Sequence, residues 1–351
     1  MFPTRRITTL GGDKFRDEYS LAFDGSDECI ELSGTFNYNV HSISCWFKPT
    51  ALAGAATLFD QRDTNNDGIL LFLTDGDLNY QIDNVDGVYN FGRAATLGKW
   101  WHVVATNDGS VSTLYLNGVS VETADTSGET INLAGDYPAR IGSRSHTSIA
   151  NYYQGNISEM AFYNVALSAS QVKTLYNSRE PYNHKEGIAS ANLKGWWRMG
   201  DGSLDSFNLI GDEVNPTIGP ELVTNGSIGD GTGWTASNFA FADGVATTST
   251  NGATLQQALS FTAGDIIKIT AEIKNYSSGS CRWYTGSGDD TSRSFNSDGV
   301  HTHYLAGTNT KVLFYSDSFN GSIDNVSVRK VNGNSGAMIN MEGVDFGGDT
   351  P

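Results

Sequence analysis

Hydrolysis of a glycan needs two carboxyl groups on either side of the scissile bond, about 5–5.5 Å apart in a retaining enzyme. On a β-strand that requires acidic residues at short, regular spacing. The chain of 351 residues carries 39 acidic ones, but Glu122, Glu129 and Glu159 stand apart, and Asp75 and Asp77 flank a glycine turn. Its six histidines are scattered, no H-E-x-x-H metal pair occurs, and no G-x-S-x-G turn presents a nucleophile. The expectation is a non-enzymatic protein. Two other chemistries remain open. Asp63, Asn65, Asp67 and Gly68 copy the opening of a calcium loop, but Thr74 stands where the closing glutamate belongs. The flanking apolar runs make a plain hairpin turn the competing reading. Farther on, Cys281 and Trp283 alternate with Arg282 and Tyr284. With the first two inward, Arg282 and Tyr284 line the wet face and Tyr315 is a neighbour. A ring beside a guanidinium suits a glycan or an anionic sugar; the alternative is a solvated face with no ligand.

These residues must be positioned by short strands. From Trp100 to Gly118 a period of two runs through Trp101, Val103 and Ala105, breaks at Asn107-Asp108-Gly109, and resumes through Ser112, Leu114 and Leu116. Asn117-Gly118 makes the next reversal, which predicts a three-stranded meander with one face on a core. About a dozen such strands precede the one predicted helix. Ser168 and Gln171 form its capping box, Val172, Leu175 and Tyr176 its apolar face, and Pro181 its end. Trp100, Trp101, Trp196 and Trp197 come in pairs, alternation buries at least one of each pair, and the core is their default place. After Asn215-Pro216 a second β unit begins. There Ile267, Ile269, Ala271 and Ile273 face a core while Lys268, Thr270, Glu272 and Lys274 face water. The glycine-rich last twenty residues predict no element.

Composition sets the outer bounds. Forty glycines fit many turns, and a formal net charge of −17 makes nucleic acid an unsuitable partner. No apolar run reaches membrane-spanning length, and no signal peptide is visible. Three cysteines do not make a disulfide framework. Cys45 reads as a core residue, and its pairing with Cys29 stays open. Residues 1–16 hold Arg5, Arg6, Lys14 and Arg16 and read as a basic arm, either loose or a tether to a partner.

SLAFDGSDECIEL, SISCWFKPT, KWWHVVATNDGSVSTLYLNG, ARIGSRS and YYQGNISEMAFYNVALSASQVKTLYN, in that order, resemble a laminin G-like domain of the concanavalin A-like lectin/glucanase superfamily. ELVTNGS, GTGWT and GSIDNVSV are similar to carbohydrate-binding-module jelly rolls. The resemblance implies an all-β protein: a concanavalin A-like jelly-roll sandwich with one short helix, then a second, smaller β-sandwich jelly roll. The expected domains are an arm over 1–18, the first sandwich over 19–180, a connector over 181–219 with GWWRMGDG, the second sandwich over 220–331, and a tail over 332–351 returning to the connector. The split of IGDEVNP from GNSGAMINM suggests that the second sandwich is inserted. The same resemblance implies structural calcium, held between Asp24 and Glu159 in the first sandwich, where Ser158 replaces the usual acid, and at Asp324 in the second. In style the whole chain resembles structural proteins of marine tailed bacteriophages. That implies a virion surface protein made in the host cytoplasm, a decoration, knob or fibre component. It would attach to capsid or tail proteins through the arm, assemble as a homo-oligomer and meet cell-surface or environmental glycans. The alternative is a cellular glycan-binding adhesin or an accessory module of polysaccharide-degrading machinery.

Overall fold

A computed structural model describes residues 15–83, 89–133, 137–145, 149–206, 209–215, 217–262, 264–285, 293–307, 310–341 and 345–351. The basic arm up to Lys14 lies outside the described residues.

The meander forms as its alternation dictates, with Val103 opposite Leu116 and Ala105 opposite Leu114. Those four side chains enter the main core of the first sandwich. The sheet runs in the order Val119–Asp125, Val111–Leu116, Trp101–Asn107, His41–Pro49, Gln154–Tyr163, Ser20–Asp24, Phe346–Gly347. Leu193–Trp197 pairs with the later half of Gln154–Tyr163. A second sheet packs against it, from Leu209–Ile210 through Gly336–Ile339, Cys29–Leu32, Arg140–Ile141, Ala55–Arg62, Gly68–Thr74 and Asp77–Ile82 to Tyr89–Ala94. Cys29 and Cys45 are both free and buried.

The outer face of the first sheet is not wet. Val104, Tyr115, Ala161, Tyr163 and Trp196 are covered by Leu167, Val172, Leu175 and Ile188, so alternation there separates two cores. The helix Ala169–Tyr176 supplies much of this cover. Its N-terminus is closed by a capping box, in which Gln171 N–H donates to Ser168 Oγ and Ser168 N–H donates to Gln171 Oε1. Such a cap is worth about 1 kcal/mol. The helix ends earlier than Pro181, at Asn177 in the left-handed conformation.

In the second sandwich two strands dominate, Ile266–Tyr284 and Lys311–Val331. The alternation at 267–273 is realised, with all four apolar residues buried. The first of the two strands also carries the Cys281–Tyr284 alternation. The two long strands pair irregularly between Lys274 and Ser280, where they bend. Gly279 sits at the bend at φ 74°, where an added Cβ would lie 2.0 Å from the Ser318 carbonyl oxygen.

This sandwich leaves and re-enters the first one through paired strands. Leu209 faces Ala337 and Ile210 faces Gly336, while the strand Gly336–Ile339 also pairs with Cys29–Leu32. The tail is therefore structured, against expectation: Gly336–Ile339 and Phe346–Gly347 are strands whose partners lie some 300 residues upstream. Asp212 joins the split pieces by accepting from Trp196 N (3.0 Å), Val214 N (3.0 Å) and Asn334 N (2.9 Å). Leu209, Ile266, Val331 and Ala337 form an apolar seam between the sandwiches, edged by a Lys330–Asp265 ion pair at 2.7 Å.

Candidate functional site

The long strands of the second sandwich bring Arg282 and Tyr315 side by side, with Thr254 next in the row. Cys281 and Trp283 point inward and are fully buried. The Arg282 guanidinium carbon lies 5.1 Å from the Tyr315 ring centre and 5.8 Å from that of Tyr284. Its Nη2 donates to Asp317 Oδ1 at 2.9 Å, and its Nε meets the other carboxylate oxygen. Asp317 thus matches the guanidinium charge and fixes its plane beside the tyrosine ring. Tyr284 is on the expected side of the strand but is only 7% exposed, which corrects its expected place on the wet face. Arg282 and Tyr315 are half-buried and present the open part of the row.

The three carboxylates expected to hold calcium are kept apart. Asp24 pairs with Gln154, whereas Glu159 lies five positions along the same strand, about 16 Å away at strand rise. Asp24 Oδ1 accepts from Ser26 N at 2.7 Å. A bulge puts Glu159 at φ 51° and turns it onto Trp196 Nε1 (2.5 Å) and Arg198 Nε (3.0 Å). Asp324 accepts from Lys274 Nζ and from Asn325 N, both at 2.7 Å, so an ammonium sits where a cation would. Among the described residues no group of three His, Cys, Asp or Glu side chains converges on a metal position. The Asp63–Gly68 stretch is a hairpin turn, its Asp63 Oδ1 accepting from Asn65 N (2.8 Å) and Asp67 N (3.0 Å).

The polar cluster that sequence reasoning missed lies where the arm meets the first sandwich. Asp17 accepts from Ser158 Oγ at 3.1 Å and shares a hydrogen bond with Glu159. Burial is the main cause that pushes Asp17 up to about 9 and Glu159 to about 7; Arg198 pulls the latter back. Glu18 and Tyr19 donate their N–H groups to Asp201 Oδ2 at 2.7 and 2.9 Å. Phe15 packs on Trp196 at 6.0 Å and lies under Arg198 at 4.4 Å. The usual acid of the motif is replaced by Ser158, and Asp17 supplies a carboxyl to that serine from the arm. The only hint in the sequence was that departure.

Residues 24–173, most of the first sandwich, match the family described as the concanavalin A-like lectin/glucanases superfamily. No curated protein matches the chain. Among solved structures, a Bacteroides ovatus protein assigned provisionally to carbohydrate binding is 14% identical, with a TM-score of 0.47, over 59% of this chain and 61% of that one. This chain thus spans about three fifths of that protein. The heptameric SAP-like pentraxin of Limulus polyphemus is 19% identical over 46% of this chain and 82% of its own, with a TM-score of 0.39. The carbohydrate-binding module of a Ruminococcus gnavus sialidase is 17% identical over 45% of this chain and 96% of its own, with a TM-score of 0.37.

Proposed function

We propose that the chain is a non-enzymatic glycan-binding protein displayed on the surface of a tailed-phage particle. The first sandwich serves as its mount and the second as its binding head. The observation that carries the glycan reading is the Arg282–Tyr315 row, a ring and a fixed guanidinium on a rigid strand pair. A pyranose stacks its apolar face on such a ring while the guanidinium donates to hydroxyls. Because Asp317 already matches the positive charge, the row favours a neutral sugar over an anionic one.

The non-enzymatic reading is supported by the buried carboxyl pair Asp17 and Glu159. They are hydrogen-bonded to each other, and Glu159 is 1% exposed. Glycoside hydrolysis needs its two carboxyls apart, with the sugar between them. The virion reading is supported by the docking of residues 15–19, which fixes where the basic arm leaves the mount.

Two assays test the proposal. On an array of neutral glycans the whole chain should bind, and Tyr315→Ala should weaken binding by about tenfold or more, as expected for losing a stacked ring. In a phage host, deletion of residues 2–14 should leave the protein folded but absent from particles. Incorporation of the truncated protein at normal copy number would refute the tether.

A further inference from the structure

A cleft of about 480 Å³ opens at one edge of the second sandwich, within the usual range for ligand sites of roughly 300–1,000 Å³. It is lined by Asn238, Phe239, the stretch 247–250 and Asn320. None of these residues is charged, on a chain whose formal net charge is −17.

The cleft is tied into shape. Thr248 Oγ1 donates to the Asn238 carbonyl at 2.7 Å and accepts from Thr250 N at 3.1 Å, so one hydroxyl joins two turns. Thr247 Oγ1 and Ser322 Oγ share a hydrogen bond at 2.9 Å. A preformed rim lowers the ordering cost of binding. The side-chain amides of Asn238 and Asn320 and the hydroxyl of Thr250 are exposed and have no hydrogen-bond partner among the described residues. An amide offers two donors and an acceptor, and a sugar hydroxyl both donates and accepts. Phe239, also part of the lining, is 7% exposed and belongs to the core beneath. Such a lining gives no counter-charge to an ionised ligand.

The cleft also adjoins the Arg282–Tyr315 row. The turn that carries Ser249 and Thr250 continues into Gly252, whose added Cβ would lie 3.7 Å from the Tyr315 hydroxyl. That turn is clamped to the long strand, with Gly252 N donating to the Ser316 carbonyl at 2.8 Å and Ser318 N to Asn251 Oδ1 at 3.0 Å.

We infer that the cleft is a second subsite for a neutral glycan, so that one oligosaccharide crosses the 249–252 turn from Tyr315 to Asn320. This inference rests on the glycan reading above. The test is titration calorimetry of the full chain with short neutral gluco-, xylo-, manno- and galacto-oligosaccharides and with sialyllactose. The whole chain should bind a neutral probe, and sialyllactose should bind no better. Asn320→Ala and Thr250→Val should each weaken neutral binding by about tenfold, with the melting temperature unchanged because both side chains are exposed. If both variants bind like the parent while Tyr315→Ala does not, the cleft is ordinary surface and the glycan reading survives. If sialyllactose is bound best, the neutral-ligand inference is wrong. If the parent binds none of the probes, the glycan reading itself fails.

Discussion

The two sandwiches use their outer faces in opposite ways. The first hides its outer face: a helix, the stretch around Ile188 and the end of the arm pack against Val104, Tyr115, Ala161 and Tyr163. Its buried acids are committed to holding that cover in place. The second leaves its Arg282–Tyr315 row and its 238–250 cleft uncovered. A face closed by polar latches makes a rigid mount, whereas an uncovered face of rings, amides and hydroxyls makes a binding head. The same strand chemistry serves both, and what differs is whether other parts of the chain lie over it.

The sharpest way to break this contrast is at Asp212. It is 1% exposed and accepts three backbone N–H groups. Asp212→Ala leaves three donors without their partner, at about 1–3 kcal/mol for each one left unsatisfied. We expect the largest loss of melting temperature here, seen by calorimetry, because the carboxylate joins the connector to the returning tail. A drop no greater than that of an exposed Asp→Ala control would remove Asp212 from the mount.

The arm latch predicts a pH dependence. Asp17 is raised to about 9 and Glu159 to about 7, above their unfolded values near 4. Groups raised in this way stabilise the fold fully below about pH 4, and the gain is lost as pH rises through the folded pKa values. Buried histidines act in the other direction: burial lowers His41 to about 4 and His102 and His184 to about 3. Their contribution is lost as pH falls below about 6.5. Asp17→Asn keeps a donor toward Glu159 but cannot ionise. Denaturant titrations from pH 5 to 9 should therefore show a flatter alkaline limb for Asp17→Asn than for the parent. Identical limbs would show that the latch does not carry the proton.

The smallest effect is expected at Asp324. Lys274 occupies its carboxylate, so adding a chelator should leave the melting curve of the second sandwich unchanged. A chelator-dependent fall that Asp324→Ala abolishes would restore calcium to this position.

Much of the fold was legible because its signals are local. The meander, the capping box and the 267–273 alternation each fit within twenty residues. The tail strands were not legible, since Gly336–Ile339 becomes a strand only by pairing with Cys29–Leu32. The covered outer face was also hidden, because alternation at Val104 and Tyr115 reads the same whether water or a helix lies beyond. At the site, the inward turn of Cys281 and Trp283 put Arg282 on the opposite side of the strand, where Tyr315 lies beside it. The burial of Tyr284, the union of Asp17 with Glu159 and the cleft at Asn238 and Asn320 depend on chain crossings that no local pattern records.

Hydrogen exchange of the full chain, with and without a bound neutral oligosaccharide, tests the mount-and-head division most directly. The division predicts added protection in the second sandwich, over 247–254 and 313–317, and none over 101–116 of the first. Protection confined to the first sandwich, or spread equally over both, would contradict it.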